Sequence, residues 1–445
     1  MPNATVLYPY CITLSSVLHF LRKSRSEFFN FIINFVQNEN YIDMARDLLE
    51  EIERGTKNAM TKKRIITYYM YNRSSTIPDL SKELDLSIPT VTKFIGEMCD
   101  EGYIMNYGKQ ETSEGRPPTL YGLTSDSGYF VGVDIKRFSL NFSLMNFVGD
   151  FIELKMGVPY EYENTVEGLD LLCKYIHEFI DSLEVSKDRI LNIGINISGR
   201  VNPESGYSFS YFNFDERPLS EILAERLGFP VTIDNDTRAM TYGEMVKGAV
   251  KDEKNIVFIN MSWGLGSGLI INGDIYTGKS GFSGEIGHFP VFDNEILCHC
   301  GKTGCLETEV SGMALHRNLL KSVREGRQSI LSERIMKDEQ SVTLDDIVEA
   351  INKEDLLCIE LVEEIGQKMG RYLAGLINLL NPELVVIGGV LAETGDYILQ
   401  PIKSAVRKYS LNLVNKDSAI VLSKLKERAG VIGACMLARK SMFES

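Results

Sequence analysis

Gly284–Glu307 reads GEIGHFPVFDNEILCHCGKTGCLE and is the most informative stretch of the chain. It carries His288, Cys298, Cys300 and Cys305, the thiols in a C-x-C-x4-C spacing. Three thiols and one imidazole within one loop match a tetrahedral Cys3His metal site, most simply structural zinc. Gly301 and Gly304 let the loop turn tightly enough for the sulfurs to face one point. A closed set of four ligands leaves no position for an activated water. The metal is therefore expected to hold the loop, with Glu285, His288 and Glu307 in it, and not to do chemistry.

The flanking composition sets limits. The 445 residues suffice for two or three domains with substantial cores. The net charge of −14 argues against a chain that coats nucleic acid or anionic lipid by bulk charge, while leaving room for a small DNA-binding module. The cysteines outside the loop (Cys11, Cys99, Cys173, Cys358 and Cys435) are scattered, which fits a reducing cytoplasm better than a disulfide framework. No apolar run reaches the roughly 18 residues of a spanning helix. The N-terminus shows no basic n-region or cleavage site, so neither a membrane nor a secretory role is expected.

GEIGH followed by C-x-C-G-x-x-G-C-L-E resembles the ROK family, which mixes sugar-responsive bacterial repressors with sugar kinases. The resemblance extends over about residues 60–440. It implies that His288, Cys298, Cys300 and Cys305 bind zinc and that Glu285, His288 and Glu307 contact a sugar. An imidazole has two nitrogens, so His288 can serve both roles.

Upstream, residues 59–124 read as a winged helix-turn-helix. KKRIITYYMYN is a first helix, Thr76–Leu84 a second and Ser87–Asp100 a third, followed by short strands at Tyr103–Tyr107 and Thr119–Leu123. Ser87 is a good N-cap and Pro89 suits the first turn. Ile88, Val91, Ile95 and Met98 form an apolar stripe expected to pack inward. Ser87, Pro89, Thr90, Thr92 and Lys93 are the candidates for the DNA groove, and Arg116 for the wing tip. The family's regulators have a similar S-x-x-T-V helix and G-R-P-P wing. A protein-interaction role for such a module is the alternative. Residues 1–58 are not covered by the resemblance. They read either as sequence ahead of a later start, at Met44 or Met60, or as a helical extension used in dimer packing.

Downstream, residues 125–445 read as two actin-like lobes. YFVGVDIKRFSLNFSLMNFVGDFIELKMGV (129–158) and NIVFINMSWGLGSGLIINGDIYTG (255–278) both read as antiparallel strand openings, the second turning at Asn272-Gly273. A duplicated α/β unit of this kind is the sugar-kinase, ribonuclease H-like architecture, with a cleft between lobes. Gly199, Asn235 and Asp236 join Glu285, His288 and Glu307 as the expected sugar contacts. In the family's kinases Asp236 would be the base that deprotonates the sugar hydroxyl. By residue type alone Asn-Asp is also an ordinary helix cap.

The kinases of the family open with D-x-G-G-T, which here is Asp134-Ile135-Lys136-Arg137-Phe138. Long side chains replace both glycines, so the backbone cradle for phosphate is lost. A second loop, G-T-G-x-G in the kinases, reads Gly264-Leu265-Gly266-Ser267-Gly268. Gly388-Gly389, near the nucleotide in the kinases, persists. The expectation is a zinc-containing, cytoplasmic regulator that uses no ATP and has no catalytic residue, Asp236 being vestigial. Its partners would be a double-stranded operator, a monosaccharide or derivative as effector, and a second copy in a dimer or dimer of dimers. The alternatives are an ATP-dependent sugar kinase with an attached DNA-binding unit, and a regulator whose effector is a protein. Gly366, Gly370, Ala374 and Gly375 on one long helix suit either a dimer interface or the core.

Overall fold

The computed structural model describes residues 48, 51, 52, 54–110 and 117–444. Arg116 and nearly all of residues 1–56 lie outside the described residues, and with them the wing-tip and N-terminal readings. The chain divides into two compact units after Gly128.

The first unit comprises α1 (Lys57–Asn72), β1 (Ser74–Thr76), α2 (Ile77–Leu84), α3 (Ile88–Asp100), β2 (Ile104–Lys109) and β3 (Thr119–Leu123). Each helix begins at a hydroxyl cap. Thr56, Thr76 and Ser87 accept from Ala59 N, Asp79 N and Thr90 N respectively. Such a bond satisfies one of the amides that a helix start leaves free. Asp85, in the left-handed region, ends α2 and makes the turn. The strands order β1-β3-β2. β1 has only three residues, too few to show a period in sequence. On α3 the inward residues are Val91, Phe94, Ile95 and Met98, whereas Ile88 is 52% exposed. The inward stripe thus starts one turn later than its spacing predicts, because Ile88 is the first helical residue and precedes the contact with the unit's core.

The second unit has two five-stranded sheets. β4 (Tyr129–Ile135), β5 (Ser139–Asn146) and β6 (Phe151–Pro159) form an antiparallel opening, followed by α4 (Val166–Ser182) and β7 (Ile190–Ile197). A hairpin of β8 (Val201–Asn202) and β9 (Tyr207–Ser208) precedes α5 (Leu219–Leu227), β10 (Val231–Asn235) and α6 (Asp236–Lys247). The first sheet orders β10-β7-β4-β5-β6, with β7 parallel to both β4 and β10.

The second lobe repeats the plan with β11 (Ile256–Met261), β12 (Leu265–Ile271) and β13 (Asp274–Ile275). The loop to Glu307 and helices α7 (Glu307–Val310), α8 (Gly312–Arg324), α9 (Ser332–Lys337), α10 (Leu344–Asn352) and α11 (Leu356–Leu380) follow. The chain closes with β14 (Leu384–Gly388), α12 (Asp396–Tyr409), α13 (Asn412–Asp417), β15 (Ala419–Leu422) and α14 (Ala429–Phe443). The second sheet orders β13-β12-β11-β14-β15. β4, β7 and β11 are buried along their whole length, because helices cover both faces of each sheet. α14 packs on α6 and on β4 and β7, and α6 packs on β12, so this helix pair couples the lobes.

The small residues of α11 serve the core. A Cβ on Gly366 would come within 2.9 Å of the Pro401 Cβ, and one on Gly370 within 2.7 Å of the Ala405 Cβ, both on α12. Gly375 alone faces open space. Among the described residues no helix is long and apolar enough to cross a membrane.

Candidate functional site

The end of β10 organises the first half of the site. Asn235 caps α6, its Oδ1 accepting from Arg238 N at 3.0 Å, while its Nδ2 donates to Gly199 O at 2.8 Å. The cap reading and the site reading of Asn-Asp are therefore compatible. Asp236 stands beside it, accepting from Ser198 Oγ at 2.6 Å and from Thr237 N at 2.7 Å. Ser198 is a neighbour that residue types alone do not reveal.

The loop after β13 builds the second half. His288 directs Nδ1 to the Cys298 sulfur at 3.6 Å and Nε2 to Glu285 Oε2 at 3.6 Å. The Cys300 and Cys305 sulfurs lie 3.7 Å apart, and all four ligand atoms fall within 4.8 Å of one another. A tetrahedral ion with metal–sulfur bonds near 2.3 Å and metal–nitrogen bonds near 2.05 Å requires edges of about 3.8 Å (S–S) and about 3.6 Å (S–N). The four residues fit such an ion and could hold one. Burial pushes the Cys298 thiol up to about 12, and a metal bound there would displace its proton.

Glu307 is 3% exposed and both its oxygens are engaged within the chain. Oε2 accepts from Leu265 N at 2.8 Å, and Oε1 meets His299 Nδ1 at 2.9 Å. Burial opposes its ionised form, but the hydrogen bonds from His299 and Leu265 outweigh this and hold its pKa below the ordinary value. The same contact raises the pKa of His299 against the opposing effect of burial. His299, set between two cysteines, is a second residue that motif reading passes over. Cys298, His299 and Glu307 also form a smaller possible ligand set that shares Cys298 with the first.

The halves meet through α6 and β12. Asn260 Nδ2 donates to Thr237 Oγ1 at 3.0 Å, and Ser267 Oγ donates to Gly284 O at 2.8 Å. Cβ atoms on Gly266 and Gly268 would overlap the hydroxyls of Thr237 and Thr241. Close strand–helix contact thus accounts for these two glycines without any bound phosphate. Leu265 is buried in the second core.

Lys136 and Arg137 occupy the other end of the site. Lys136 Nζ pairs with Asp134 Oδ2 at 3.1 Å. Burial lowers its pKa, but the charges of Asp134 and Asp236 more than offset that and leave it raised. Asp134 is fully buried, and its Oδ1 has no hydrogen-bond partner. The Arg137 guanidinium lies 4.9 Å from the Trp263 ring centre and 5.2 Å from that of Phe138. It therefore bridges a loop of the first lobe to one of the second.

On α3 of the first unit Ser87, Pro89, Thr92 and Lys93 are exposed and Thr90 is half-buried. Ser87 Oγ and Thr90 Oγ1 share a 2.7 Å hydrogen bond, and Thr92 Oγ1 donates to Ile88 O. Ile88 joins this open face.

Comparison with known proteins gives the same division. The ROK family model matches residues 132–441, and a winged helix-turn-helix DNA-binding model matches residues 61–105.

The chain belongs to the ROK family.

This ROK chain is 30% identical over 371 residues to a xylose repressor of Caldicellulosiruptor bescii, covering 82% of the chain and 91% of that protein. It is 32% identical to a glucokinase of Halalkalibacterium halodurans, over 70% of the chain and 95% of the relative. A crystal structure of a ROK family transcriptional regulator, a homologue of the Escherichia coli MLC protein, superposes with a TM-score of 0.73. That match has 28% identity and covers 86% of the chain and 96% of the regulator.

Proposed function

We propose that this ROK protein is a sugar-responsive DNA-binding transcriptional regulator, acting as a repressor of carbohydrate-metabolism genes in the cytoplasm. The observation that carries the reading is the presence of a winged helix and a ROK unit in one chain, aligned along nine-tenths of a xylose repressor. Ser87, Pro89, Thr90, Thr92 and Lys93 enter the major groove of an operator, with Ile88 placed to meet a thymine methyl group, and Arg116 serves the wing. One module whose basic and acidic side chains balance makes few phosphate contacts, so a homodimer or dimer of dimers is the DNA-binding form.

The effector is a monosaccharide or sugar derivative. Gly199, Asn235, Asp236, Glu285, His288 and Glu307 supply its hydrogen bonds, and Glu307 also holds His299 and the Leu265 amide in place. Zinc on His288, Cys298, Cys300 and Cys305 supplies a cross-link that fixes Glu285 and the His288 ring. The coupling needs only a ligand that prefers one lobe arrangement. A preference of about 1–3 kcal/mol changes operator affinity roughly 5- to 150-fold.

No phosphate transfer is expected. Lys136 neutralises Asp134, and Arg137 lies against Trp263, where a phosphate cradle would need backbone without side chains. Asp236 then accepts hydrogen bonds and abstracts no proton. The 32% identity to a glucokinase supports the second reading, a sugar kinase with an attached DNA-binding unit. Operator binding measured with and without sugars, beside ADP release from ATP on the same sugar panel, separates the two. Sugar-dependent operator affinity without ADP release supports the regulator, and rapid ADP release overturns it. Sugars that give no thermal shift at all would leave a protein effector as the answer.

A further inference from the structure

We propose a second carbohydrate subsite at the rim of the sugar site, built on Phe209, Phe282 and Arg200, which takes the second ring of a disaccharide; the proposal rests on the sugar-site reading above. The β8–β9 hairpin pairs Val201 with Ser208 and Asn202 with Tyr207. Phe209 N donates to Arg200 O at 2.9 Å, which carries the pairing one step further. Side chains alternate along a strand. Val201 and Ser208 point inward and are buried, so Arg200 and Phe209 share the opposite, open face.

Phe209 is 47% exposed. Its ring meets that of Phe282, itself 38% exposed, edge-to-face at 5.4 Å. Single exposed apolar residues are ordinary. Here two rings from separate segments are fixed against each other, and the fixing is polar and buried. Arg238 is 2% exposed; its guanidinium pairs with Asp234 and donates to Gly281 O and, at 2.9 Å, to Val201 O. One side chain thus ties the Phe282 loop and the hairpin to the strand end that bears Asn235.

The pair is continuous with the first sugar site. Gly199 O, next to Arg200, accepts from Asn235 Nδ2, and Arg200 N donates to Ser210 Oγ at 3.0 Å. No hydrogen bond or ion pair engages the Arg200 guanidinium among the described residues, and its charge bears on His299. A sugar ring has an apolar C–H face and a hydroxyl edge. The first suits an aromatic ring, the second a guanidinium donor. A second sugar ring offers both, an apolar face to Phe209 and Phe282 and hydroxyls to the exposed Arg200, and is the occupant.

Titration calorimetry on the intact protein tests this, with xylobiose, cellobiose, maltose and chitobiose compared with their monosaccharides. At least one disaccharide should bind roughly five- to tenfold more tightly than its monosaccharide. That ratio should fall to about one in Phe209→Ala or Phe282→Ala, with monosaccharide affinity unchanged, and should survive in Phe209→Tyr. Equal affinity for both lengths in the wild type, or a ratio untouched by both alanine variants, overturns the subsite and leaves the sugar site standing. Silence to every sugar of either length overturns both.

Discussion

The two ends of the site in the second unit are built in opposite ways. At the His288 end, Glu285 keeps a half-open carboxylate, and Asn235 and Asp236 hold their polar atoms at a strand terminus. At the Lys136 end the chain fills its own space, with an ammonium on Asp134 and a guanidinium on Trp263. One end leaves the Glu285 carboxylate half-open, as the proposed sugar site requires, while the other satisfies itself. On the regulator reading, loss of phosphate transfer needs no collapse of the fold. Two long side chains in one turn suffice, because phosphate binding depends on bare backbone.

The contrast can be broken most severely at the metal loop. Cys300→Ser should abolish metal, read as stoichiometry by elemental analysis, and lower the melting temperature by about 5–10 °C. Sugar-induced stabilisation should vanish with the metal. Unchanged sugar affinity in the metal-free variant would show that the loop stands without its cross-link.

Asp236→Asn comes next. It keeps the shape and removes the charge that accepts from Ser198 and Thr237. Loss of a hydrogen bond to a charged acceptor predicts sugar binding weaker by roughly 10- to 100-fold in calorimetry. No change would place the sugar elsewhere.

Lys136→Met sharpens the other end. It leaves the buried Asp134 carboxylate with only the Asn141 amide as donor, and because Lys136 itself is partly exposed the cost should be about 1–3 kcal/mol in denaturant unfolding. Sugar affinity should change less than it does in Asp236→Asn. Arg137→Ala is the mildest, removing a cation–π contact worth about 0.5–1 kcal/mol at a partly open site. It should loosen the lobes and alter how strongly the sugar changes operator affinity. An unaltered response would exclude the Arg137–Trp263 bridge from the coupling.

Much of this was legible in order along the chain. The caps at Ser87 and Asn235, the turn at Asn272-Gly273 and the cysteine spacing are local, and each appears where residue type and spacing predict it. The departures and the open alternatives are equally local. Ile88 fits the apolar stripe by period but sits at a helix end that the core does not reach. Gly266 and Gly268 look like a phosphate loop, and the structure shows a second cause for them in Thr237 and Thr241. The glycines of α11 leave interface and core open by residue type, and Pro401 and Ala405 lie against Gly366 and Gly370.

The sequence by itself determined the family, the two-unit plan, the four residues that could hold a metal and the long side chains at Lys136 and Arg137. Each of these is a matter of which residue stands where along a short segment. Only the tertiary structure decided that Glu307 meets the Leu265 amide and His299, and that Arg137 meets Trp263 across the lobes. Those pairings join different elements, some far apart in sequence. Their partners are chosen by the packing of sheets and helices, which no local pattern encodes.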